Sequence, residues 1–216
     1  IESGGAYAEY ICTHERQLLA VPSNISLADA AAIPEVFLTA WDALVLQGGL
    51  TSGRWALVHA GASGVGTAAI QIAKAIGARI AVTCSAGKAQ ACRDLGADLV
   101  VERSPHDWLS ELQTAVPQGF DVVLDVIGGE YLNRNVAALA LKGTIVQVGL
   151  MGGGSTSFNI GAMMPKPTAT KKDEKTRTPT SRGNSAKGFE GLRRAERFKV
   201  FTICLSGVAT VFQSWG

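Results

Sequence analysis

The chain has 216 residues, of which 47% are hydrophobic and 25 are glycine, so it can bury one substantial core and part of a second. No apolar run approaches the ~20 residues that a membrane-spanning helix needs, and the four cysteines show neither C-x-x-C pairing nor a zinc-like spacing. The formal charge of +2 is uneven: residues 1–160 carry 9 Lys and Arg against 14 Asp and Glu, whereas residues 161–216 carry 11 against 4. These features argue against a membrane protein, a disulfide scaffold and a metal site, and we expect a soluble, cytoplasmic protein with reduced thiols.

Residues 1–50 are interpreted as the remnant of a β-rich domain followed by connecting helices. Alternation of apolar and polar residues indicates strands in the first part, and helical spacing indicates helices in the second. Ser26, with Asp29 three positions further on, has the pattern of a helix-capping box. The predicted elements are strands over 4–12 and 17–21 and helices over 27–33 and 35–47.

Residues 51–160 alternate between short apolar runs and stretches with helical spacing. Such alternation predicts the α/β class, with a doubly wound parallel sheet of the Rossmann type and helices on both faces. This segment is therefore predicted to be a dinucleotide-binding domain. Its predicted strands cover 55–60, 79–84, 98–101, 120–125 and 144–148, and its predicted helices cover 65–76, 88–95, 105–115 and 130–141.

A turn of small residues, Gly61-Ala62-Ser63-Gly64-Val65-Gly66, separates the first of these strands from the first helix. Small residues let a pyrophosphate approach the N–H groups of the first helical turn. The turn fits the pattern G-x-G-x-x-G only with Ser63 in place of the second glycine. A nucleotide triphosphatase loop is set aside because Thr67 follows Gly66 with no Lys between them, and a hydrolase elbow because residue 65 is not glycine. A tight turn that binds nothing remains the alternative.

Residues 161–216 form a basic segment that we predict to be disordered over most of its length. Residues 200–212 are apolar again and are compatible with a stray strand or a short helix. The abrupt change near Pro165 is what a frameshift or a misread exon boundary would produce, and a genuine tail is the other possibility. A basic tail can also bind nucleic acid, although no aromatic residue is interleaved before Phe189, which makes a nucleic-acid partner the weaker hypothesis.

Four segments carry a resemblance to a known family. They are residues 30–41 (AAAIPEVFLTAW), 59–69 (HAGASGVGTAA), 124–129 (LDVIGG) and 149–153 (GLMGG). Together they resemble the quinone oxidoreductase (zeta-crystallin-like) branch of the zinc-independent medium-chain dehydrogenases and reductases, over roughly residues 4–164. The resemblance implies a metal-free, NADPH-dependent enzyme that passes a hydride to a quinone or another electron-poor carbonyl or alkene, and a homo-oligomer in the full-length protein.

The resemblance also assigns residues to the coenzyme, while no side chain is predicted to be catalytic. Two residues have a structural alternative: Thr39 as a plain helix residue and Met151 as a core residue. His59 and Asp125 are interpreted as structural residues, and Tyr131 as a helix residue near the mouth of the cleft. The predicted contacts are Ser63, Gly64, Val65 and Gly66 to the pyrophosphate, Thr39 to the nicotinamide side, and Ile127, Leu150 and Met151 as the wall of the nicotinamide pocket.

The choice of coenzyme is predicted from the end of the second strand. An NAD enzyme offers an Asp or Glu there, ~20 residues past the glycine turn, to bind the ribose hydroxyls. This chain offers Ser85 and Lys88 and no carboxylate, which suits a 2′-phosphate and favours NADP(H); a solvated Lys88 without a ligand is the alternative. After the third strand the family often has Asn-Tyr, and this chain has Glu102-Arg103. Arg103 could hold the 2′-phosphate, with Glu102 opposing it.

Two parts of the family pattern are missing from the sequence. Most of the substrate domain, which precedes residue 4 in the family, is absent, and the basic segment stands where the sixth strand and the closing helix are expected. We therefore expect a fragment of an oxidoreductase. A non-catalytic fragment that binds coenzyme or nucleic acid is the alternative, and the sequence does not identify the substrate.

Overall fold

A mixed sheet forms the centre of the molecule. The computed structural model describes residues 8–103, 107–163, 199–202 and 210–212. Within these residues the sheet has seven strands in the order β3-β2-β1-β4-β5-β6-β7, and neighbouring strands are parallel except for β6 and β7. The strands are β1 (Trp55–His59), β2 (Arg79–Cys84), β3 (Leu99–Glu102), β4 (Phe120–Asp125), β5 (Leu139–Gln147), β6 (Lys199–Thr202) and β7 (Thr210–Phe212).

Helices cover both faces of the sheet, as the alternation predicted. One face packs against the second, third and fourth helices, and the other packs against the fifth and sixth, so each face has its own apolar core. The helices are α1 (Leu27–Ala30), α2 (Pro34–Trp41), which continues as a π-helical segment (Asp42–Gln47), α3 (Gly64–Ala75), α4 (Ala89–Asp94), α5 (Trp108–Ala115) and α6 (Tyr131–Ala138). The prediction of a doubly wound α/β fold is confirmed.

The strand order reverses between β1 and β4. From β1 the chain proceeds outward to β2 and β3, then returns to place β4 on the other side of β1 and continues to β5. The loops that leave β1 and β4 therefore diverge at the carboxyl edge of the sheet and leave a crevice between them. In open α/β sheets this crevice is where ligands bind.

The two strands predicted in the N-terminal region are wrong for the described residues. Residues 8–25 contain no strand, and their regular structure is one short 3₁₀ turn (Glu15–Gln17); residues 4–7 lie outside the described part. The segment is exposed, with Leu18 and Leu19 more than 60% accessible. The physical reason is the lack of partners, because a pair of short strands without a third strand or a packed helix is marginal in water.

The helix boundaries differ modestly from the predicted ones. The capping box is present, since the Asp29 N–H donates to Ser26 Oγ at 3.1 Å, yet the helix it begins stops at Ala30 rather than at residue 33. The sixth helix ends at Ala138 because the chain then enters β5, five residues before the start predicted for that strand. The fifth helix begins at Trp108 with Asp107 as its cap.

The basic segment supplies two strands to the sheet. Residues 164–198 lie outside the described part of the chain, so the predictions of disorder and of a nucleic-acid contact there stay predictions. Residues 199–202, however, pair in parallel with residues 144–147 of β5, and residues 210–212 pair antiparallel with β6. The expectation that the basic segment replaces the sixth strand is therefore wrong for residues 199–202, whereas the stray strand left open over 200–212 is found. The physical reason is that Lys199-Val200-Phe201-Thr202 contains β-favouring residues that can add to the open edge of β5.

Candidate functional site

A cavity of about 190 Å³ opens at the carboxyl edge of the sheet, at the reversal of strand order. Its wall is built from the residues that end or follow four parallel strands. Five predicted coenzyme residues contribute to it: Ser63, Ser85, Lys88, Arg103 and Ile127. The other lining residues are Ala60, Ala62, Thr83, Cys84 and Tyr131, which the sequence analysis did not assign to a ligand.

The glycine turn forms one side of this cavity. Ala60 begins the turn in a left-handed conformation, with φ at 56°, and its carbonyl accepts the Ser63 N–H at 2.8 Å. Ser63 then caps α3, since its Oγ accepts the Gly66 N–H at 3.1 Å. The turn therefore brings the N-terminus of a 12-residue helix to the edge of the cavity.

Two glycines of the turn are required by packing. A Cβ on Gly66 would lie 2.5 Å from the Ala60 carbonyl oxygen, so only glycine lets α3 start this close to the end of β1. A Cβ on Gly61 would lie 2.5 Å from Cβ of Val82 on the neighbouring strand β2. The pattern Gly61…Gly66 thus sets how closely the turn lies against the sheet.

The first turn of α3 fits an anionic ligand. Among the described residues the structure shows no acceptor for the N–H groups of Gly64 and Val65, whereas the Gly66 N–H is bonded to Ser63 and the Thr67 N–H to the Ser63 carbonyl. Free N–H groups and the positive end of the helix dipole favour a phosphate at this position. Gly64 and Val65 stay predicted pyrophosphate contacts that flank the cavity rather than line it.

The opposite side of the cavity carries two cations. Ser85 caps the short 3₁₀ turn after β2 (Ala86–Lys88) and Lys88 ends it, and the Lys88 N–H donates to the Ser85 carbonyl at 2.9 Å. Arg103 follows β3, and its backbone N–H donates to the Cys84 carbonyl at 2.9 Å, which fixes the two strand ends together. No acidic side chain is among the described residues that line the cavity, and Glu102 does not contribute to its wall.

Cys84 is a buried, neutral part of the wall. Burial raises the pKa of its thiol to about 11, with further contributions from the adjacent Cys92 thiol and from Glu102. Both cysteines are reduced in the structure. The side chain therefore acts as an apolar surface at neutral pH, not as a nucleophile.

The loops after β4 and β5 interlock beside the cavity. The Gly152 N–H donates to the Ile127 carbonyl at 2.6 Å, and a Cβ on Gly129 would lie 2.5 Å from the Gly152 carbonyl oxygen. Ile127 reaches the cavity, but Leu150 and Met151 on the second loop are 55% and 72% exposed and do not line it. Their role as a nicotinamide wall stays a prediction.

Thr39 also lies away from the cavity wall. Its side chain is on α2, and the hydroxyl donates to Glu35 Oε1 at 3.2 Å, one helical turn earlier. This bond is what an ordinary surface threonine on a helix can make. The described residues do not bring Thr39 to the cavity wall. Its predicted contact with the nicotinamide side stays a prediction.

Behind the cavity lies a buried layer of polar side chains that sequence reasoning did not identify as a unit. His59, Thr83, Asp125 and Gln147 stand at or next to the carboxyl ends of four strands, with His59 in register with Thr83 and Asp125 with Gln147. His59 Nδ1 lies 2.9 Å from Thr83 Oγ1 and its Nε2 lies 2.7 Å from Asn135 Oδ1. The only signal in the sequence was one polar residue near the end of each apolar strand.

Aromatic rings enclose His59. Its ring meets those of Trp108 and Tyr131 edge to face, at centroid distances of 5.0 and 4.8 Å, and Tyr131 also lines the cavity. Burial lowers the pKa of His59, and the negative charge of Asp125 and the hydrogen bond to Asn135 oppose this effect only in part. The imidazole is therefore neutral at physiological pH.

The described residues offer neither a metal cluster nor a membrane-spanning helix. In the described ranges no group of three or more His, Cys, Asp or Glu side chains could hold a metal ion, and the expectation of a metal-free protein stays a prediction. No helix in these ranges combines the length and the apolar character needed to cross a bilayer.

Comparison with known proteins identifies the family. Residues 64–173, just over half of the chain, match the family described as zinc-binding dehydrogenases. A mitochondrial NAD(P)H oxidoreductase of Danio rerio is 40% identical over 130 residues, which are 58% of this chain and 33% of that relative. The chain thus spans about a third of the length of this curated relative.

Solved structures agree with this match. An NAD-dependent alcohol dehydrogenase is 38% identical with a TM-score of 0.64 over 71% of this chain and 44% of its own. A mycobacterial quinone oxidoreductase is 30% identical with a TM-score of 0.60 over 66% of this chain and 45% of its own. Since the family match covers half of the chain and agrees with both the sheet order and these structures, the chain belongs to the medium-chain dehydrogenase/reductase family of oxidoreductases.

Proposed function

We propose that this chain is the coenzyme-binding part of an NADPH-dependent oxidoreductase that reduces a quinone or another electron-poor carbonyl or alkene. The observation that carries the proposal is the cavity itself. It is bordered by a helix N-terminus on one side and lined by Lys88 and Arg103 on the other, with no acidic side chain in its described wall. Such a wall favours a dinucleotide that carries a phosphate on its ribose.

The residues present fit this coenzyme. The N–H groups of Gly64 and Val65 would meet the pyrophosphate, because Gly66 and Gly61 allow the turn to lie close to the sheet. Ser85, Lys88 and Arg103 would hold the 2′-phosphate, since neither cation forms an ion pair with another described residue. When bound, NADPH would supply the hydride, and the chain's part is to orient it and to exclude water.

The names of the similar proteins support different parts of this proposal. The Danio rerio relative is named for either coenzyme, and one solved structure is named a quinone oxidoreductase, whereas another is named NAD-dependent. Because the chain covers less than half of each of these proteins, the acceptor of the hydride is proposed from the resemblance alone. The coenzyme choice, by contrast, is proposed from residues of this chain.

The test is binding of NADPH and of NADH to the 216-residue chain, measured by calorimetry and by the shift in melting temperature. We expect NADPH to raise the melting temperature and NADH to raise it much less, because a ligand that binds only the native state stabilises it. Equal shifts would overturn the assignment of the two cations to a 2′-phosphate. A cooperative melting transition that neither coenzyme shifts would overturn the proposed function of the chain.

A further inference from the structure

A network of hydrogen-bonded polar side chains lies buried behind the cavity. His59, Asp125 and Asn135 are fully buried, and burying such groups costs free energy unless each finds a hydrogen-bond partner. The strands contribute His59, Thr83 and Asp125, while Asn135 enters from α6. The four residues form one continuous chain of hydrogen bonds from β2 to β4.

For a neutral imidazole, the donors and acceptors allow a single arrangement of protons along this chain. The Asp125 carboxylate can only accept, so the group of Asn135 that lies 2.9 Å from Asp125 Oδ2 is the Nδ2 amide. Asn135 Oδ1 then faces His59 Nε2 at 2.7 Å, which requires a proton on Nε2. Nδ1 is left without one in the neutral ring and accepts the hydroxyl proton of Thr83 at 2.9 Å.

Both ends of the chain reach the wall of the cavity. At one end are Thr83 and, through its edge-to-face contact with His59, Tyr131. At the other end Asp125 Oδ1 accepts the N–H groups of Ile127 at 2.6 Å and Gly128 at 3.1 Å, which fixes the loop that carries Ile127 into the cavity. The network therefore connects three lining residues that belong to different elements.

We infer that Asp125, Asn135 and His59 act as one positioning unit for the coenzyme cavity, with His59 held as the neutral Nε2–H tautomer. The unit fixes Thr83, Tyr131 and the Ile127 loop relative to one another. The inference rests on the proposed function as far as the ligand is concerned, but the tautomer and the hold on the loop are properties of the chain without ligand. None of the three residues needs to touch the coenzyme, so they are positioning residues and not catalytic ones.

Histidine tautomers can be read directly by NMR. Long-range ¹H–¹⁵N correlation spectra of the chain labelled with ¹⁵N-histidine distinguish the two neutral tautomers from the charged ring. We expect His59 to show the Nε2–H form at pH 7. An Nδ1–H form or a charged ring at His59 would overturn the assignment of the network.

The variant that tests the unit is Asn135→Leu, with Asn133→Leu as its matched control. The first is close to Asn in size but removes both the Nδ2 donor to Asp125 and the Oδ1 acceptor of His59 Nε2, so the chain of hydrogen bonds is cut at its middle. The second makes the same chemical change two residues earlier on α6, where Asn133 donates to the Ser157 carbonyl outside the network. Both variants should keep a cooperative melting transition, which separates repositioning from unfolding.

Two readouts decide the outcome. In Asn135→Leu we expect amide exchange of Ile127 and Gly128 to accelerate about tenfold and the Kd for NADPH to rise about tenfold, with neither effect in Asn133→Leu. Unchanged exchange at Ile127 and Gly128, or unchanged affinity in a chain whose wild type binds NADPH, would overturn the inference. If the wild type binds neither coenzyme, the proposed function fails, and the histidine spectrum and the exchange rates alone decide whether the unit exists.

Discussion

Lys88 and Arg103 are the two cations of the cavity wall, and the proposed preference for NADPH over NADH rests on them. Replacing either with alanine removes a charge-assisted contact to the proposed 2′-phosphate, so we expect Lys88→Ala and Arg103→Ala each to raise the Kd for NADPH about tenfold. The Kd for NADH should stay within a factor of two to three, because that coenzyme has no phosphate there. Calorimetric titration of both coenzymes gives the ratio directly.

The control for these variants is Arg16→Ala, which removes an exposed cation on the 3₁₀ turn far along the chain from the cavity. It tests whether a general loss of positive charge weakens binding of an anion. If Arg16→Ala matched the cavity variants, or if NADH binding fell as much as NADPH binding, the specific contact would be refuted.

At this scale, the sequence predicted residues that directly follow strands and missed those that depend on long-range contacts. Ser85, Lys88 and Arg103 reach the cavity because the carboxyl ends of parallel strands share one edge, which is a rule of topology. The hydrogen bond between His59 and Asn135 joins residues 76 positions apart, and no local sequence pattern predicts it. His59 was interpreted as a structural residue, but neither its burial nor its partners could be predicted.

The glycine turn and α3 form the element on which the site depends. Gly66→Ala would place a Cβ 2.5 Å from the Ala60 carbonyl oxygen and 2.6 Å from the Gly61 carbonyl carbon, both backbone atoms that cannot rotate away. We expect α3 to shift from β1, with a loss of about 1–3 kcal/mol in the free energy of unfolding. Affinity for coenzyme should fall as well, since the N–H groups of the first turn move with the helix. Urea denaturation and NADPH titration measure the two effects.

Gly87→Ala is the matched control for that change. A Cβ on Gly87 would meet no heavy atom within 4 Å, and its backbone is not left-handed, so the free energy of unfolding should change by less than about 0.5 kcal/mol. A Gly66→Ala chain as stable as the Gly87→Ala chain would show that the turn tolerates a side chain and that packing does not explain its glycines.

Helices and strands, like single residues, were predicted where local patterns decide them and missed where distant partners do. Strands β1 to β5 and the helices between them were predictable because their periodicity is local and each strand is bounded by glycine or polar residues. The strands over 4–12 and 17–21 failed, since alternation shows only that a segment can be a strand and not that a partner lies beside it. A partner is available at β6, where a segment within a basic stretch pairs with the open edge of β5 although its composition did not predict a sixth strand there.

At the scale of the whole molecule, the alternation of strands and helices predicts the sheet order, whereas the residues of this chain do not identify the substrate. Short crossovers between alternating strands and helices predict a doubly wound sheet, and the reversal beside β1 then predicts where a ligand lies. The substrate does not follow from this fold, because this chain spans only about a third of the Danio rerio relative. The coenzyme can therefore be argued from this chain's residues, and the acceptor only from resemblance.

The burial of His59 makes the stability of the whole molecule depend on pH. Its ordinary pKa is 6.5, and burial lowers it in the folded chain, so at pH values above 6.5 both the folded and the unfolded forms are neutral. Below 6.5 the unfolded chain gains a proton that the folded chain resists, and the free energy of unfolding must fall. We expect the melting temperature to decrease between pH 7.5 and 5.5, before most carboxylates titrate. The decrease should persist in His14→Gln, whose ring is exposed in the parent chain, and should be lost in His59→Gln, which starts from a lower melting temperature. A wild-type melting temperature that is constant across this window would show that His59 takes up its proton in the folded chain as easily as in water.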